Sequence, residues 1–251
     1  MRDDREQHKS ITSLSFFKGP PHRPSRLFPL TRQLSWMLTP FLLRTPIGPN
    51  QVTALSLLSG LYGAWVFTEG TFAGGVIGSL FILLCYTLDN CDGEVARARG
   101  LASKWGARFD DFTDWAVDTA FFLGLGFGVW NVSGEVIWWW LALATAFGAT
   151  VDYCVDISAY WRESRDDSTK VPVDAKLDRP KMPDLMARLI YVFHTLSRAD
   201  FCFIVLGLSL FEFTWVLLPL AAVGAQAYWV VDIYKRVRRA GANQKSSGRE
   251  C

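Results

Sequence analysis

Cysteine, histidine and net charge are all scarce in this 251-residue chain. Its five cysteines are an odd number, without a CxxC pair or a Cys/His metal spacing, so we expect neither a disulfide framework nor a zinc site. The net charge is only +2, so the total gives no indication of nucleic acid binding. Residues 1–10 are charged and lack an apolar core, so we expect no signal peptide there.

Lys and Arg are absent from three long stretches, residues 45–96, 109–161 and 199–234. Half of the chain is hydrophobic, which excludes a disordered protein. A membrane-spanning helix needs about 20 mostly apolar residues, so each stretch can hold two crossings. We therefore expect six spans, at about 52–67, 72–88, 115–130, 136–157, 201–211 and 214–234.

All 26 basic residues would then lie on one side of the membrane. The positive-inside rule assigns that side to the cytoplasm, so six crossings place both termini there. Three consecutive tryptophans, Trp138, Trp139 and Trp140, follow an outer turn, where an aromatic belt is expected. The alternative is a soluble all-α protein with buried helices. It is disfavoured, because chance would rarely separate 26 basic residues in this way.

The predicted fold is an all-α integral membrane protein, a six-transmembrane-helix bundle with an N-terminal interfacial segment. We divide the chain into an N-terminal arm (1–45), the six-helix domain (46–235) and a basic cytoplasmic tail (236–251). Residues 26–44 suit a helix in the membrane interface. An irregular segment packed on the bundle is the alternative, because Pro29 and Pro40 interrupt this stretch. Residues 162–184 are expected to form a cytoplasmic loop.

Four aspartates flank the junction between the second and third predicted spans. Asp89 and Asp92 are three residues apart and Asp110 and Asp114 are four apart, so each pair shares a helix face. Two helices joined by a tight turn would bring these carboxylates together, and their repulsion would call for cations. Such oxygen ligands suit Mg²⁺ or Mn²⁺, and two ions would hold phosphate oxygens during a phosphoryl-type transfer.

The segment between the two aspartate pairs favours a reversal of the chain. Gly93, Gly100 and Gly106 allow a tight turn there. The same segment carries four basic residues, Arg97, Arg99, Lys104 and Arg108. The alternative is therefore a solvated acidic loop whose charges these residues balance.

Eight positions of this region resemble the signature of the CDP-alcohol phosphatidyltransferases. The pattern is D-x-x-D-G-x-x-A-R, eight residues, then G-x-x-x-D-x-x-x-D, and it runs from Asp89 to Asp114 without a departure. Residues 49–53, PNQVT, are also similar to the start of that family's first transmembrane helix. The resemblance implies six transmembrane helices, with the signature between helices two and three, and a homodimer.

The resemblance also implies roles for the four aspartates. Asp89, Asp92, Asp110 and Asp114 would bind two divalent cations, Mg²⁺ or Mn²⁺. Asp114 would in addition be the general base that deprotonates the acceptor hydroxyl. We expect Asp118, one helical turn beyond Asp114, to support this metal site.

The remaining signature positions would bind the cytidine nucleotide. Gly93 and Ala96 would leave room for it beside the helix, and the Arg97 guanidinium would pair with its diphosphate. Asn50 and Ser103 match positions that contact the nucleotide in relatives.

The implied activity is transfer of a phosphatidyl group from CDP-diacylglycerol to an alcohol in phospholipid biosynthesis, releasing CMP at the cytoplasmic face of a bacterial or archaeal cell membrane. The segments LDNCDGEVAR and KWGARFDD look closest to the branch that uses inositol phosphate or CDP-inositol. Arg188 and Arg198 flank the start of the fifth span and are the expected contacts of an anionic acceptor. Three alternatives remain: a soluble CDP-alcohol donor such as CDP-inositol, a six-helix transporter, and a catalytically inactive relative.

Overall fold

The computed structural model describes residues 30–165, 200–227 and 229–230, and all regular structure in these ranges is helical. The helices are α1 (Leu30–Leu43), α2 (Pro49–Phe67), α3 (Phe72–Arg99), α4 (Lys104–Ser133), α5 (Ile137–Arg165), α6 (Phe201–Leu210) and α7 (Thr214–Ala227). The first turn of α7, Thr214–Val216, is a 3₁₀ helix. The predicted all-α class is confirmed for this part of the chain.

Three described helices are long and apolar enough to cross a membrane. They are α3, α4 and the segment Ile137–Ser158 of α5, which match the second, third and fourth predicted spans. The first predicted span falls on α2, which has 19 residues. The last two fall on the shorter apolar helices α6 and α7. Three of the six predicted crossings thus have a helix of sufficient length and hydropathy, and the count of six stays a prediction.

Helices α2 and α4 touch through their backbones. A Cβ atom built on Gly124 would lie 2.1 Å from the carbonyl oxygen of Ala64, and one built on Gly128 would lie 2.2 Å from that of Phe67. Two glycines four residues apart share a helix face, and this spacing is typical of close helix pairs in membranes. No larger residue fits at either position without moving α2.

Helices α2 and α3 are joined by serine hydroxyls. Ser56 donates to the carbonyl oxygen of Cys85 at 3.0 Å, and Ser59 donates to that of Phe81 at 2.9 Å. These bonds satisfy polar side chains inside an otherwise apolar contact. An apolar core that includes Phe67, Ile82, Val117, Phe121, Val205 and Leu218 completes the bundle.

Helix α1 packs its polar side against α3 and leaves apolar residues exposed. The hydroxyls of Ser35 and Thr39 donate to the two Glu94 carboxylate oxygens at 3.0 and 2.6 Å. Met37 and Phe41 are 62% exposed. Residues 30–43 are thus helical despite Pro40, and they pack on the bundle. Their place in the membrane interface stays a prediction.

The buried carboxylate of Asp200, which is distant in the sequence, caps the first turn of α1. Asp200 accepts hydrogen bonds from the backbone amides of Leu30 and Thr31, at 2.8 and 3.0 Å, and from the Thr31 hydroxyl at 3.1 Å. A carboxylate at a helix N-terminus satisfies free amides and complements the helix dipole. This contact links α1 to the start of α6.

Several expectations lie outside the described residues. They concern residues 1–29 of the arm, most of the 162–184 loop, the 236–251 tail, and Arg188 and Arg198. The three-part division of the chain therefore stays a prediction.

Candidate active site

The chain reverses direction between α3 and α4 within four residues. Gly100 ends α3 with a φ of 66°, a left-handed conformation that favours glycine. Ser103 begins α4, its hydroxyl accepting a hydrogen bond from the Gly106 amide at 3.0 Å. Gly93 lies inside α3 and Gly106 inside the first turn of α4, so assigning them to the reversal was wrong. Helix formation continues through both, because glycine weakens a helix without ending it.

Three aspartate side chains meet beside this reversal. One carboxylate oxygen from each of Asp89, Asp92 and Asp110 lies within 4.8 Å of the others. Asp92 is 6% exposed. A buried oxygen of Asp89 and one of Asp110 have no hydrogen-bond partner among the described residues. Three carboxylates this close together, two of them with an unpartnered oxygen, suit a hard divalent cation, so these residues fit the expected metal ions.

Asp114 differs from these three residues. It lies one turn beyond Asp110 on α4, as an exposed residue outside the group of three. Asp118, one turn further, accepts a hydrogen bond from the Tyr86 hydroxyl at 3.2 Å. The parts of Asp114 and Asp118 in the metal site stay predictions.

A threonine from α2 holds one of the clustered aspartates. The Thr53 hydroxyl donates to Asp92 Oδ2 in a buried contact. The sequence interpretation did not single out Thr53 as a site residue. The signal was present, because Asn50 and Thr53 are three residues apart in PNQVT and so share a helix face.

A pocket of about 180 Å³ opens next to the aspartates. It lies between the first turns of α2, the second half of α3 and the start of α4. Its lining includes all five residues expected to bind the nucleotide: Asn50, Gly93, Ala96, Arg97 and Ser103. Asp92 and Asp110 line it as well, so the nucleotide residues share one cavity with two of the three clustered aspartates.

The two glycines keep this pocket open. The described atoms nearest to a Cβ atom on Gly93 belong to the Arg97 guanidinium, with Nη1 at 3.2 Å, so the arginine head lies over bare backbone. A Cβ atom on Gly106 would lie 3.1 Å from Asn50 Oδ1. Arg97 is exposed and forms no ion pair with any described residue. Its guanidinium is therefore available to an anion in the pocket.

A comparison with protein families decides the relationship. The model of the CDP-alcohol phosphatidyltransferase family matches residues 47–226, which contain the three clustered aspartates and the pocket. The chain belongs to this family. The resemblance carried by the eight signature positions is thereby confirmed.

Curated relatives match parts of the chain. The bifunctional IPC transferase and DIPP synthase of Aquifex aeolicus is 31% identical over 146 residues, which are 54% of this chain and 32% of that protein. The phosphatidylinositol phosphate synthase of Streptomyces avermitilis is 38% identical over 102 residues, which are 39% of this chain and 40% of that protein. The chain thus matches well under half of the length of either relative.

A solved structure is similar across more of the chain. The crystal structure of Mycobacterium tuberculosis phosphatidylinositol phosphate synthase with CDP-DAG bound aligns with 79% of this chain and 92% of its own. The TM-score is 0.48 and the sequence identity is 23%.

Proposed function

We propose that this chain is an integral membrane phosphatidyltransferase of phospholipid biosynthesis. It transfers a phosphatidyl group from a CDP-activated lipid such as CDP-diacylglycerol to the hydroxyl of an alcohol and releases CMP. The observation that supports this most strongly is the shared pocket, in which the nucleotide residues and two of the clustered aspartates, Asp92 and Asp110, line one cavity.

Within this proposal, Asp89, Asp92, Asp110 and Asp114 hold two divalent cations, Mg²⁺ or Mn²⁺. Bound there, such ions would neutralise the carboxylates and stabilise charge on the diphosphate oxygens. The unpartnered oxygens of Asp89 and Asp110 support this assignment. Thr53 keeps the Asp92 carboxylate turned toward the pocket through its hydrogen bond.

Arg97 and the small residues around it take the CDP group. The guanidinium pairs with the diphosphate through two parallel hydrogen bonds. Gly93 and Ala96 let the nucleotide approach the α3 backbone, and Asn50 and Ser103 contact it from the two neighbouring helix starts. Charge on the departing CMP grows during the reaction, so Arg97 stabilises the transition state more than the ground state.

Asp114 is the general base in this scheme. Asp114 is more exposed than the three clustered aspartates, of which Asp92 is buried and Asp89 and Asp110 are half-buried, so it is the one best placed to meet an incoming alcohol. It accepts the hydroxyl proton as the alcohol oxygen bonds to the phosphorus that carries the diacylglycerol group. The bond from that phosphorus to CMP breaks, leaving a phosphodiester and CMP.

The acceptor is the least constrained part of the proposal. The name of the Streptomyces avermitilis relative favours an inositol compound, free or phosphorylated, as acceptor. A soluble donor such as CDP-inositol is the alternative. Arg188 and Arg198, outside the described residues, are the proposed contacts of an anionic acceptor.

We place six spans in the cell membrane of a bacterium or archaeon, with the aspartate end of α3 and both termini in the cytoplasm. Association of two copies into a dimer is part of the proposal by family resemblance.

The orientation is tested by labelling of introduced cysteines in intact cells. We expect an impermeant thiol reagent to label Ser133→Cys and not Ser168→Cys. The opposite pattern would reverse the orientation.

One assay tests the activity and the substrates together. Purified protein with Mn²⁺ is given CDP-diacylglycerol or CDP-inositol with a panel of alcohols that includes inositol and inositol phosphate. CMP release is measured, and the lipid products are identified by mass spectrometry. Release with one acceptor supports the proposal and names the acceptor. No release with any donor would contradict it.

A further inference from the structure

Arg99, the last residue of α3, holds the connection between α1 and α2. Its guanidinium donates to four backbone carbonyl oxygens, those of Leu42, Leu43, Thr45 and Ile47, at 2.5 to 3.3 Å. The carbonyls of Leu42 and Leu43 belong to the last turn of α1, where helix carbonyls have no intrahelical partner. Arg99 therefore caps the end of a helix other than its own.

The chemistry of this contact requires arginine. Arg99 is half-buried and forms no ion pair with any residue that the structure describes. Its positive charge is met by the negative end of the α1 dipole. A guanidinium has five donors in a rigid plane, whereas a lysine ammonium is a compact charge that cannot reach four separate carbonyls. Arg97, two residues earlier, differs from Arg99 in that it is exposed and lines the pocket.

The residues fixed by Arg99 lead directly into the pocket wall. Gly48 follows Ile47 and begins α2, and Pro49, Asn50 and Thr53 in the first turns of α2 line the nucleotide pocket. The opposite wall is α3 itself, the helix that carries Arg99. One side chain thus connects both walls, at a point three residues before Asn50.

We propose that Arg99 is a positioning residue for the nucleotide pocket. It fixes the connection between α1 and α2 against α3 and so sets the distance of Asn50 from Gly93 across the cavity. Its effect on substrate binding rests on the proposed function, because it assumes that this pocket takes the CDP group.

The test compares Arg99→Gln with Arg44→Gln. Arg44 is an exposed arginine of the same connection, so the control removes the same charge without touching the four carbonyls. Arg99→Lys is the second variant, which keeps the charge. Affinity for CDP, kcat, the KM values of donor and acceptor, and deuterium exchange of amides 44–53 are measured.

We expect Arg99→Gln to weaken CDP binding and raise the donor KM by about 10- to 100-fold, the range for lost hydrogen bonds to a charged group. Acceptor KM should change by less than about threefold, and exchange of amides 44–53 should rise. Arg99→Lys should lie between Arg99→Gln and the wild type. Arg44→Gln should match the wild type in every measurement.

The outcomes separate the two proposals. Unchanged exchange of amides 44–53 in both Arg99 variants would overturn the positioning role, whatever the activity. A general loss of folding would instead lower the apparent kcat and leave both KM values unchanged, because the remaining folded molecules bind normally, and that result would also overturn it. Wild-type protein that binds no CDP would instead overturn the proposed function, while the exchange measurement still decides whether Arg99 holds the connection.

Discussion

Gly93 and Gly124 lie on neighbouring helices and show two different uses of a missing side chain. At Gly124 the space is filled by the α2 backbone, 2.1 Å from where a Cβ atom would lie. At Gly93 the three nearest described atoms all belong to the flexible Arg97 guanidinium, and the residue lines the pocket. The contact of α2 with α4 is thus filled by backbone, whereas the surface of α3 at Gly93 leaves room for a ligand beside charged groups.

The largest expected effect on activity is that of losing a carboxylate beside the pocket. Asp110→Asn removes a charge from the cluster, and we expect activity to fall by at least about 100-fold, the scale of one lost electrostatic stabiliser. The measurement is the rate of CMP release. Asp111→Asn is the matched control, because Asp111 is exposed and pairs with Arg108 at 2.9 Å. Equal losses in both variants would remove the special role of the cluster.

Arg97→Ala should have the next largest effect. A lost charged contact costs about 1.5–3 kcal/mol, or roughly 10- to 150-fold. We expect a higher donor KM and a lower kcat, because the contact strengthens as CMP departs. Steady-state kinetics with varied donor separate the two terms, and Lys104→Ala, an exposed neighbour, serves as the control. Donor KM and kcat both equal to those of Lys104→Ala would argue against binding of the diphosphate by Arg97.

At the contact of α2 with α4, Gly124→Ala should destabilise the fold by about 1–3 kcal/mol, because the added methyl group collides with the backbone of α2. Gly207→Ala on α6 is the control, since no described atom lies within 4 Å of its added methyl group. Thermal unfolding in detergent measures both variants. A melting temperature for Gly124→Ala equal to that of Gly207→Ala would contradict the direct contact of α2 with α4.

The smallest effect should come from Gly93→Ala, which should leave stability equal or higher while it weakens donor binding. Alanine favours a helix over glycine by about 0.5–1 kcal/mol, so the melting temperature should stay equal or rise. The methyl group would occupy the pocket, so donor KM should rise about tenfold, a usual cost of one misplaced methyl group. A fall in stability together with an unchanged donor KM would place Gly93 in a packed contact.

Charge distribution and spacing predicted much of this molecule from the sequence. The stretches without Lys or Arg located α3, α4 and α5, because membrane crossing excludes those residues. The aspartate spacing located the cluster, because a helix brings residues three or four apart to one face. The predicted spans ended at 88 and began again at 115, whereas the helices run to Arg99 and from Lys104. Hydropathy marks the extent of the membrane, and these helices continue beyond their apolar segments.

The contacts of α1 could not be predicted in the same way. Asp200 is 170 residues from Leu30, and Arg99 is more than 50 residues from the carbonyls that it holds. Nothing in local spacing predicts such pairs, because they depend on how the helices pack. Thr53 is intermediate, since its helix face follows from PNQVT but its aspartate partner follows only from the packing of α2 on α3.

The central claim is that the aspartate cluster acts through divalent cations on a CDP-activated donor. It is tested most directly by CMP release from CDP-diacylglycerol by metal-stripped protein, first in EDTA and then with Mg²⁺ or Mn²⁺ in excess. We predict no release in EDTA and full recovery when either ion is added. Full turnover in EDTA would contradict the account.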